Sequence, residues 1–137
     1  RRADAKIGRF SLEIRTPRWV EGEPDNDGSM FVRISDGKAS AVFSGDASIP
    51  VEARIAGETG WTAQVLHAGH HGSRTASGSA WLDQIQPKVA VVSCGRDNPY
   101  GHPHQSVLDA LRERGIEVLR TDEHRDLVFE ATDNGFD

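Results

Sequence analysis

Residues 63–73 read AQVLHAGHHGS, a short apolar run followed by a loop of glycines, histidines and a serine. The apolar residues over 63–66 predict a strand, and the glycines mark the point where the chain leaves it. Downstream, residues 79–86 favour a helix with Ser79 as its N-cap. Residues 89–94 form a continuous apolar run, which is typical of a strand covered on both faces. This alternation of strand, loop and helix predicts an α/β fold with a mixed sheet and packed helices.

The flanking sequence extends this pattern in both directions. The strongest helix signal covers residues 103–114, where Pro103 suits the first helical position and Gly115 suits the residue after the end. Apolar or alternating runs predict strands at residues 10–15, 30–34, 39–44, 116–120 and 127–131, with a short helix over 51–57. The Asp36-Gly37 step favours a tight hairpin between two of these strands. We therefore expect residues 1–137 to form a single domain.

The composition excludes several classes of protein. Of the 137 residues, 36% are hydrophobic and 27% are charged, a balance typical of folded domains and not of disordered chains. No apolar run approaches the roughly 20 residues that cross a bilayer. A single cysteine, Cys94, rules out an intramolecular disulfide. The formal net charge of −5 argues against binding nucleic acid through a generally basic surface, although a bound cation can supply positive charge locally.

The run Phe43-Ser44-Gly45-Asp46 places a carboxylate at the end of a predicted strand. Gly45 allows the backbone to turn there, and each oxygen of Asp46 can bind a separate divalent ion. The alternative is a helix N-cap, because a helix is predicted to follow. Taken alone, the run favours the cap.

Three of the six histidines, His67, His70 and His71, fall within five residues. Imidazole is the commonest metal-ligating side chain and a general acid or base near neutral pH. A His-His pair between glycines therefore indicates a functional loop, with chance surface histidines as the alternative. His67 lies next to the strand, which favours a structural role for that residue.

The third motif is GRDNPYGHPH at residues 95–104, between an apolar strand and the strongest helix. His102 falls where an N-cap is expected, and the positive end of a helix favours a neutral, metal-ligating imidazole. Tyr100 offers a surface for base stacking, and Arg96 offers a phosphate contact. The alternative is a rigid turn bracketed by prolines. His104 and His124 are expected on the surface.

All three motifs follow predicted strands, and this common placement supports a functional interpretation of each of them. If those strands are parallel neighbours, the three loops meet at one edge of the sheet. Asp46 with two or three histidines at one edge has the composition of a metal site.

The series of motifs resembles the metallo-β-lactamase-like domain of the ComEC family of DNA-uptake proteins. The resemblance runs from about Asp25 to Asp126, and its specific parts are His70-His71-Gly72-Ser73 and Asn98-Pro99-Tyr100-Gly101-His102-Pro103. It implies the C-terminal half of an αββα sandwich that binds two divalent metal ions, manganese or zinc, and cleaves DNA during uptake. It also implies a soluble domain on the extracytoplasmic side of a bacterial cytoplasmic membrane, joined to a transmembrane channel portion.

Carried over by position, the resemblance implies a metal-bridging role for Asp46 and a metal-ligand role for His102. His70 and His71 match the family's histidine pair. Both are candidate catalytic residues, His71 is also a candidate metal ligand, and the division of roles between them stays open. On the same hypothesis the residues that position the DNA are Ser73, Arg74, Arg96, Asn98 and Tyr100. Asn26 and Ser29 match the turn that enters the strand before the aspartate.

One feature of the superfamily is absent from this sequence. Its members carry an early His-x-His-x-Asp-His cluster, whereas no histidine precedes His67 here. The chain supplies at most about three or four ligands, and a two-metal site needs more. We therefore expect that the N-terminal half of the domain lies outside this chain, which begins without methionine, and that the chain alone has weak or no activity. Two alternatives stay open: a hydrolase of another substrate (an ester, a lactone or RNA) and a degenerate, metal-free binding domain.

Overall fold

The computed structural model describes residues 1–19 and 21–137 as one mixed sheet with packed helices. The strands are β1 (Arg2–Ile7), β2 (Phe10–Arg15), β3 (Phe31–Asp36), β4 (Ala39–Phe43), β5 (Val65–His67), β6 (Val89–Val92), β7 (Glu117–Arg120), β8 (Ala131–Thr132) and β9 (Gly135–Phe136). The helices are α1 (Ile49–Thr59), α2 (Ser79–Ile85), α3 (Gln105–Glu113) and α4 (Thr121–His124). Short 3-10 helices cover Asp25–Gly28 and Gly69–Gly72. None of the helices in the described ranges is long and apolar enough to span a membrane.

The main sheet has seven strands in the order β1 to β7, so that neighbours in sequence are neighbours in space. β1 to β4 pair antiparallel as a meander, and β4 to β7 pair parallel. The three parallel steps run through α1, α2 and α3 in turn. Because such crossovers are right-handed, strands added in one direction place all three helices on the same face of the sheet. The predicted α/β class with a mixed sheet is confirmed.

The hydrophobic core lies between the three crossover helices and one face of the sheet. Val42, Leu66 and Ala90 sit side by side in the strand register and face the helices. The edge of Phe31 packs against the ring of Trp81, with centroids 5.5 Å apart and planes at 79°. The buried helix residues of this core include Val51, Ile55, Ala56, Leu82, Ile85, Val107 and Leu111. This core fixes the directions of the parallel strands and therefore the edge at which their loops meet.

The opposite face of the sheet is also apolar but is only partly covered. Its strands and the C-terminal segment enclose a cavity of about 500 Å³, lined in part by Ile34, Phe43, Val91, Phe129 and Phe136. Phe43 on this face keeps 41% of its surface exposed. The β8–β9 hairpin is held there by a hydrogen bond from the Phe136 N–H to Gln64 Oε1 at 3.2 Å. The chain thus has a helical layer on one face of the sheet and an incompletely covered opposite face.

Two helix starts differ from the sequence-based expectation. The helix expected over 103–114 is α3, which begins at Gln105 with His104 as its N-cap. Pro103 is therefore not the first helical residue, and His102 is not the N-cap. The reason is tertiary: the His104 N–H donates to Gly72 O at 3.0 Å, which keeps this stretch extended against the histidine loop. Ser79 is the first residue of α2, and Gly78 is its N-cap. The carboxylate of Glu52 accepts from the Gly78 N–H in place of a local cap.

The two ends of the chain also differ from expectation. A strand over 127–131 was predicted, but the structure has only the short β8–β9 hairpin there. β1 was not predicted, because its sequence RADAKI has weak apolar alternation and every residue in it is exposed. It forms because β2 offers a full register of antiparallel partners. The remaining predicted strands and helices lie within a few residues of the observed ones.

Candidate functional site

Three loops meet at the carboxyl ends of the parallel strands β4, β5 and β6. Phe43, His67 and Val91 are partners in the register, so the loops that follow them leave the sheet side by side. The His70 N–H donates to Gly45 O at 3.0 Å and ties the second loop to the first. The predicted convergence of the three motifs at one edge is therefore observed.

The imidazoles of His70, His71 and His102 form a cluster at this edge. Ring centroids are 5.8 Å apart for His70 and His102, 6.5 Å for His71 and His102, and 6.3 Å for His70 and His71. Asp46 is near enough that its negative charge acts to raise the pKa of both His67 and His102. The structure thus brings together the four residues that the sequence predicted for the centre of the site.

The backbone of the histidine loop is strained. His70 and His71 have φ angles of 48° and 57°, in the left-handed region that non-glycine residues rarely adopt. A Cβ on Gly72 would lie 2.7 Å from Pro103 Cβ, and a Cβ on Gly69 would lie 2.9 Å from Ser44 Oγ. Only glycine fits at these two positions. The loop is therefore packed between the Asp46 turn on one side and the His102 loop on the other.

Hydrogen bonds orient the two histidines of this loop. His71 Nδ1 lies 2.8 Å from Ser93 O, and since a carbonyl oxygen only accepts, the proton is on Nδ1. Nε2 is then the ring nitrogen of His71 on the side away from this contact, and metal-ligating histidines are usually held through their other nitrogen in this way. His70 Nδ1 lies 3.3 Å from Thr75 Oγ1. Both rings are held through Nδ1.

His102 is kept neutral by its surroundings. Burial lowers the pKa of its imidazole, and the neighbouring His104, His70 and His71 lower it further, while Asp46 opposes them. A neutral imidazole is the form that binds a metal ion. The reason differs from the predicted one, which relied on a helix N-terminus.

The Asn98 side chain holds the His102 loop. Its Nδ2 donates to His102 O at 2.7 Å and to Gly95 O at 3.0 Å, and its Oδ1 accepts from the His102 N–H at 2.9 Å. One amide thus satisfies both backbone groups of His102. The structure gives Asn98 a role inside the loop, and its direct contact with a substrate stays a prediction.

Replacing Asn98 by alanine is expected to loosen this loop and to lower the free energy of unfolding by about 1–2 kcal/mol. Three hydrogen bonds are lost, and the backbone groups of the half-buried His102 lose their partners. Urea unfolding measures the loss. Asn134→Ala, in the exposed turn between β8 and β9, is the control and is expected to change stability by less than about 0.5 kcal/mol. Equal stabilities for the two variants would contradict the role given to Asn98.

Three histidines lie outside the predicted centre, and their surroundings differ. His104, expected on the surface, is half-buried as the cap of α3, with its ring 4.9 Å from that of His102. Its Nδ1 accepts from the Arg74 N–H at 3.2 Å, so it belongs to the cluster. His124 is exposed, as expected. His67 is half-buried and stacked on Phe43, and burial lowers its pKa, which agrees with a structural role.

The residues predicted to contact a substrate fall into two groups. Tyr100 is 74% exposed, and its ring stacks on His102 with centroids 5.8 Å apart. It lies beside a cavity of about 290 Å³, also lined by His71, Ser93, Cys94, Gly95, Asn98 and His102. Arg74 is likewise exposed. These two side chains are open to a ligand at the edge of the site.

Ser73 and Arg96 are instead engaged within the protein. Ser73 is buried, and its Oγ lies 2.9 Å from Thr75 Oγ1. Arg96 Nε donates to Asp122 O at 2.8 Å, which links the third loop to α4. Asn26 and Ser29 belong to the turn that precedes β3. Ser29 contacts the site, because its Oγ accepts from the Asp46 N–H at 3.2 Å. Contacts of Ser73 and Arg96 with a substrate stay predictions.

The side chains at this edge are of the kinds that bind a divalent ion, but they lie too far apart to form a complete set of ligands. One carboxylate and several imidazoles are the donors that zinc and manganese accept. Within residues 1–19 and 21–137, no three histidine, cysteine, aspartate or glutamate side chains lie close enough to share one ion. Asp46, His71 and His102 would therefore hold an ion only together with a small closure of the cluster or with further ligands.

Glu52 is a site-related residue that the motifs did not reveal. It lies on the buried face of α1, directly beneath the loops, and is fully buried. The only signal in the sequence was a glutamate among the apolar positions Val51, Ile55 and Ala56. Burial raises the pKa of its carboxyl to about 7, and hydrogen bonds from Gly78, Ser77 and Ser44 act in the opposite direction.

A mixed sheet whose parallel strands end in a cluster of one carboxylate and several imidazoles has the donor chemistry of a divalent-metal site. Residues 5–96, more than half of the chain, match the family described as the metallo-beta-lactamase superfamily, and the chain belongs to it. The predicted resemblance to the ComEC family within that superfamily is confirmed by the individual relatives.

Three relatives illustrate the match. The chain is 33% identical to ComE operon protein 3 of Bacillus subtilis over 125 residues, which is 90% of this chain and 16% of the relative. It is 39% identical to Recombination protein 2 of Haemophilus influenzae over 110 residues, 80% of this chain and 14% of the relative. It is 39% identical to Competence protein ComA of Neisseria gonorrhoeae over 113 residues, 81% of this chain and 16% of the relative.

These matches have two consequences. The chain spans only about one-sixth of the length of each relative. A match over 110 of the 137 residues necessarily includes His102, which lies beyond the family match. All three loops of the site therefore fall within the region of similarity.

Proposed function

We propose that this chain forms part of a metal-dependent nuclease that cleaves DNA phosphodiesters during DNA uptake. The observation that carries the proposal is the convergence of Asp46, His71 and His102 at one edge of the sheet, with His70 beside them. Relatives named for competence and recombination favour DNA as the substrate. Membership of the metallo-beta-lactamase superfamily favours hydrolysis as the reaction.

Asp46, His71 and His102 are the residues of this chain that would hold divalent ions, two in the complete site and either manganese or zinc. When bound, such ions activate water and offset the charge of the phosphate. Nδ1 of His71 already contacts Ser93 O, so its Nε2 is the ring nitrogen that would bind an ion. Neutral His102 is in the protonation state that ligation requires.

The remaining residues of the site bind and orient the DNA. His70 is the candidate proton donor to the leaving oxygen, with its ring fixed through Thr75. Exposed Tyr100 provides a face on which a base can stack, next to the cavity of about 290 Å³. Arg74 provides a positive charge for a phosphate, and Asn98 keeps His102 in place.

The rest of the domain packs, in this proposal, on the apolar face that the C-terminal segment leaves partly open. Exposed Phe43 and the cavity of about 500 Å³ on that face are the features that a second layer would bury. That second half supplies the early histidine cluster that this sequence lacks. The whole protein, about six times longer in the relatives, carries the transmembrane channel and places this domain on the extracytoplasmic side.

The test is cleavage of labelled single-stranded and duplex DNA by the complete domain, produced from its full-length parent. Activity is expected with manganese or zinc and is expected to be lost on chelation. The isolated chain is expected to show weak or no activity, since it supplies only part of the ligand set. RNA, ester and lactone substrates are run in parallel. Cleavage of one of these but not of DNA would change the substrate class, and inactivity on all of them would contradict the proposal.

A second candidate is a metal-free binding domain. The observation that favours it is the spacing of the imidazoles, whose centroids lie 5.8 to 6.5 Å apart, so that no three possible ligands in the described residues are close enough to share an ion. Equilibrium dialysis of the complete domain with zinc and manganese separates the two candidates. Two bound ions per domain are expected for the nuclease and none for the binding domain.

A further inference from the structure

Glu52 carries a carboxylate that is enclosed beneath the site and faces no solvent. It is 0% exposed, and its two oxygens have different partners. Ser44 Oγ donates to Oε1 at 3.0 Å, and the Gly78 N–H donates to Oε2 at 3.0 Å. The Gly78 backbone packs closely on α1, since a Cβ there would lie 2.6 Å from Ile49 Cγ2. This N–H is therefore enclosed and needs a partner within the protein.

The partners of Glu52 belong to two of the loops that form the site. Ser44 precedes Asp46 by two residues. Ser77 and Gly78 end the loop that begins at Gly69, and Ser77 Oγ accepts from the Gly69 N–H at 3.2 Å. A Cβ on Gly69 would lie 2.9 Å from both Glu52 Oε1 and Ser44 Oγ. The start of the histidine loop thus rests directly on the Glu52–Ser44 pair.

The energetic cost of this arrangement indicates its purpose. Enclosing a carboxyl group costs free energy even when it is hydrogen-bonded, as the raised pKa of Glu52 reflects. An apolar side chain of similar size would avoid that cost, but it would leave the enclosed Gly78 N–H and the Ser44 hydroxyl without a partner. Glu52 joins groups from two different loops, which an apolar side chain cannot do, and it thereby fixes the Asp46 turn relative to the strained histidine loop.

We propose that Glu52 is a positioning residue, which locks the Asp46 turn and the His70–His71 loop into one arrangement by accepting hydrogen bonds from Ser44 and from the Ser77–Gly78 segment. The inference deepens the proposed function, because the residues it positions are the candidate ligands and the candidate proton donor. Glu52 itself lies below the site and touches no substrate.

The experiment is amide hydrogen exchange of the 137-residue chain by NMR, without metal. In Glu52→Leu, the amides of Gly69 and His70 are expected to exchange at least about tenfold faster, because their acceptors, Ser77 Oγ and Gly45 O, are no longer held in place. The core amides of Leu66 and Ala90 are expected to keep their wild-type rates. Glu52→Gln, which retains an acceptor for the Gly78 N–H and a donor for Ser44, is expected to stay within about threefold of wild type.

Glu58→Leu is the matched control, because Glu58 lies on the same helix but is exposed. It is expected to leave all four amides unchanged. Unchanged exchange of Gly69 and His70 in Glu52→Leu would overturn the proposal. An equal acceleration of Leu66 and Ala90 would overturn it too, because Glu52 would then support the whole fold and not the loops.

If Glu52→Leu does not fold, Ser44→Ala provides the same local readout. It removes the donor to Glu52 Oε1 and leaves the acceptors of the Gly69 and His70 amides, Ser77 Oγ and Gly45 O, in the chain. Faster exchange confined to Gly69 and His70 would support the proposal, and wild-type exchange would overturn it. Since no metal or DNA is present, this result stands apart from the cleavage test: a domain that fails to cleave DNA can still show Glu52 holding the loops.

Discussion

Replacing Asp46 by alanine is expected to reduce metal-dependent cleavage of DNA by the complete domain by about 100- to 1000-fold. Asp46 supplies the negative charge that acts on the imidazole of His102, and it is the proposed bridge between two ions. Its loss would remove charge that would help to hold such ions. Several kcal/mol of transition-state stabilisation depend on such ions, and each 1.4 kcal/mol is about tenfold in rate.

The fold is expected to survive this change, so that lost activity reports on chemistry. The Asp46 contact with Ser29 is made by its backbone N–H, which alanine retains. The matched control is Asp83→Ala, which removes a carboxylate from the exposed side of α2. Thermal unfolding of both variants should lie close to that of the wild type. Full cleavage activity of Asp46→Ala, with its metal content unchanged, would contradict the assignment.

The architecture of this chain was largely predictable because its middle section is locally consistent. The apolar runs that became β5 and β6 are short, buried on the face that meets the helices and at least half-buried on the other, and the helix between them has a regular apolar side. Parallel neighbours place their carboxyl ends together, which is why three loops far apart in sequence could be assigned to one edge. The predicted meeting of Asp46 with the histidines followed from this rule alone.

The features that were not predicted depend on contacts between distant parts of the chain. The start of α3 is set by the bond from His104 to Gly72 O, which no local signal reveals. The roles of His104 and Asn98 follow from their positions relative to His102, on a loop whose path is tertiary. Glu52 gave almost no signal, since a glutamate in a helix is ordinarily exposed. Sequence patterns show which functional side chains lie at strand ends, but they do not show which tertiary contacts hold those side chains in position.

The second large effect concerns Glu52 and pH. Burial raises the pKa of this carboxyl from 4.5 to about 7 in the folded chain, whereas the unfolded chain keeps the ordinary value. Between these two values the folded state binds more protons than the unfolded state. Stability therefore falls as pH rises through this window. The stabilising contribution of the proton is fully present below about pH 4.5 and is lost above about pH 7.

Glu52→Gln removes this titration while keeping the shape of the side chain. Relative to wild type, the variant is expected to gain about 3 kcal/mol of unfolding free energy between pH 4 and pH 8, because the pKa of Glu52 lies at 4.5 in the unfolded chain and at about 7 in the folded chain. Urea unfolding of both proteins at several pH values measures the difference, in which the other titrating groups cancel. Parallel stability curves would mean that Glu52 does not titrate in this window. If the difference in unfolding free energy between the two proteins instead grows with pH and levels off above about pH 7, Glu52 is the titrating group. The wild-type fold is then less stable in mildly alkaline solution because this carboxyl has lost its proton.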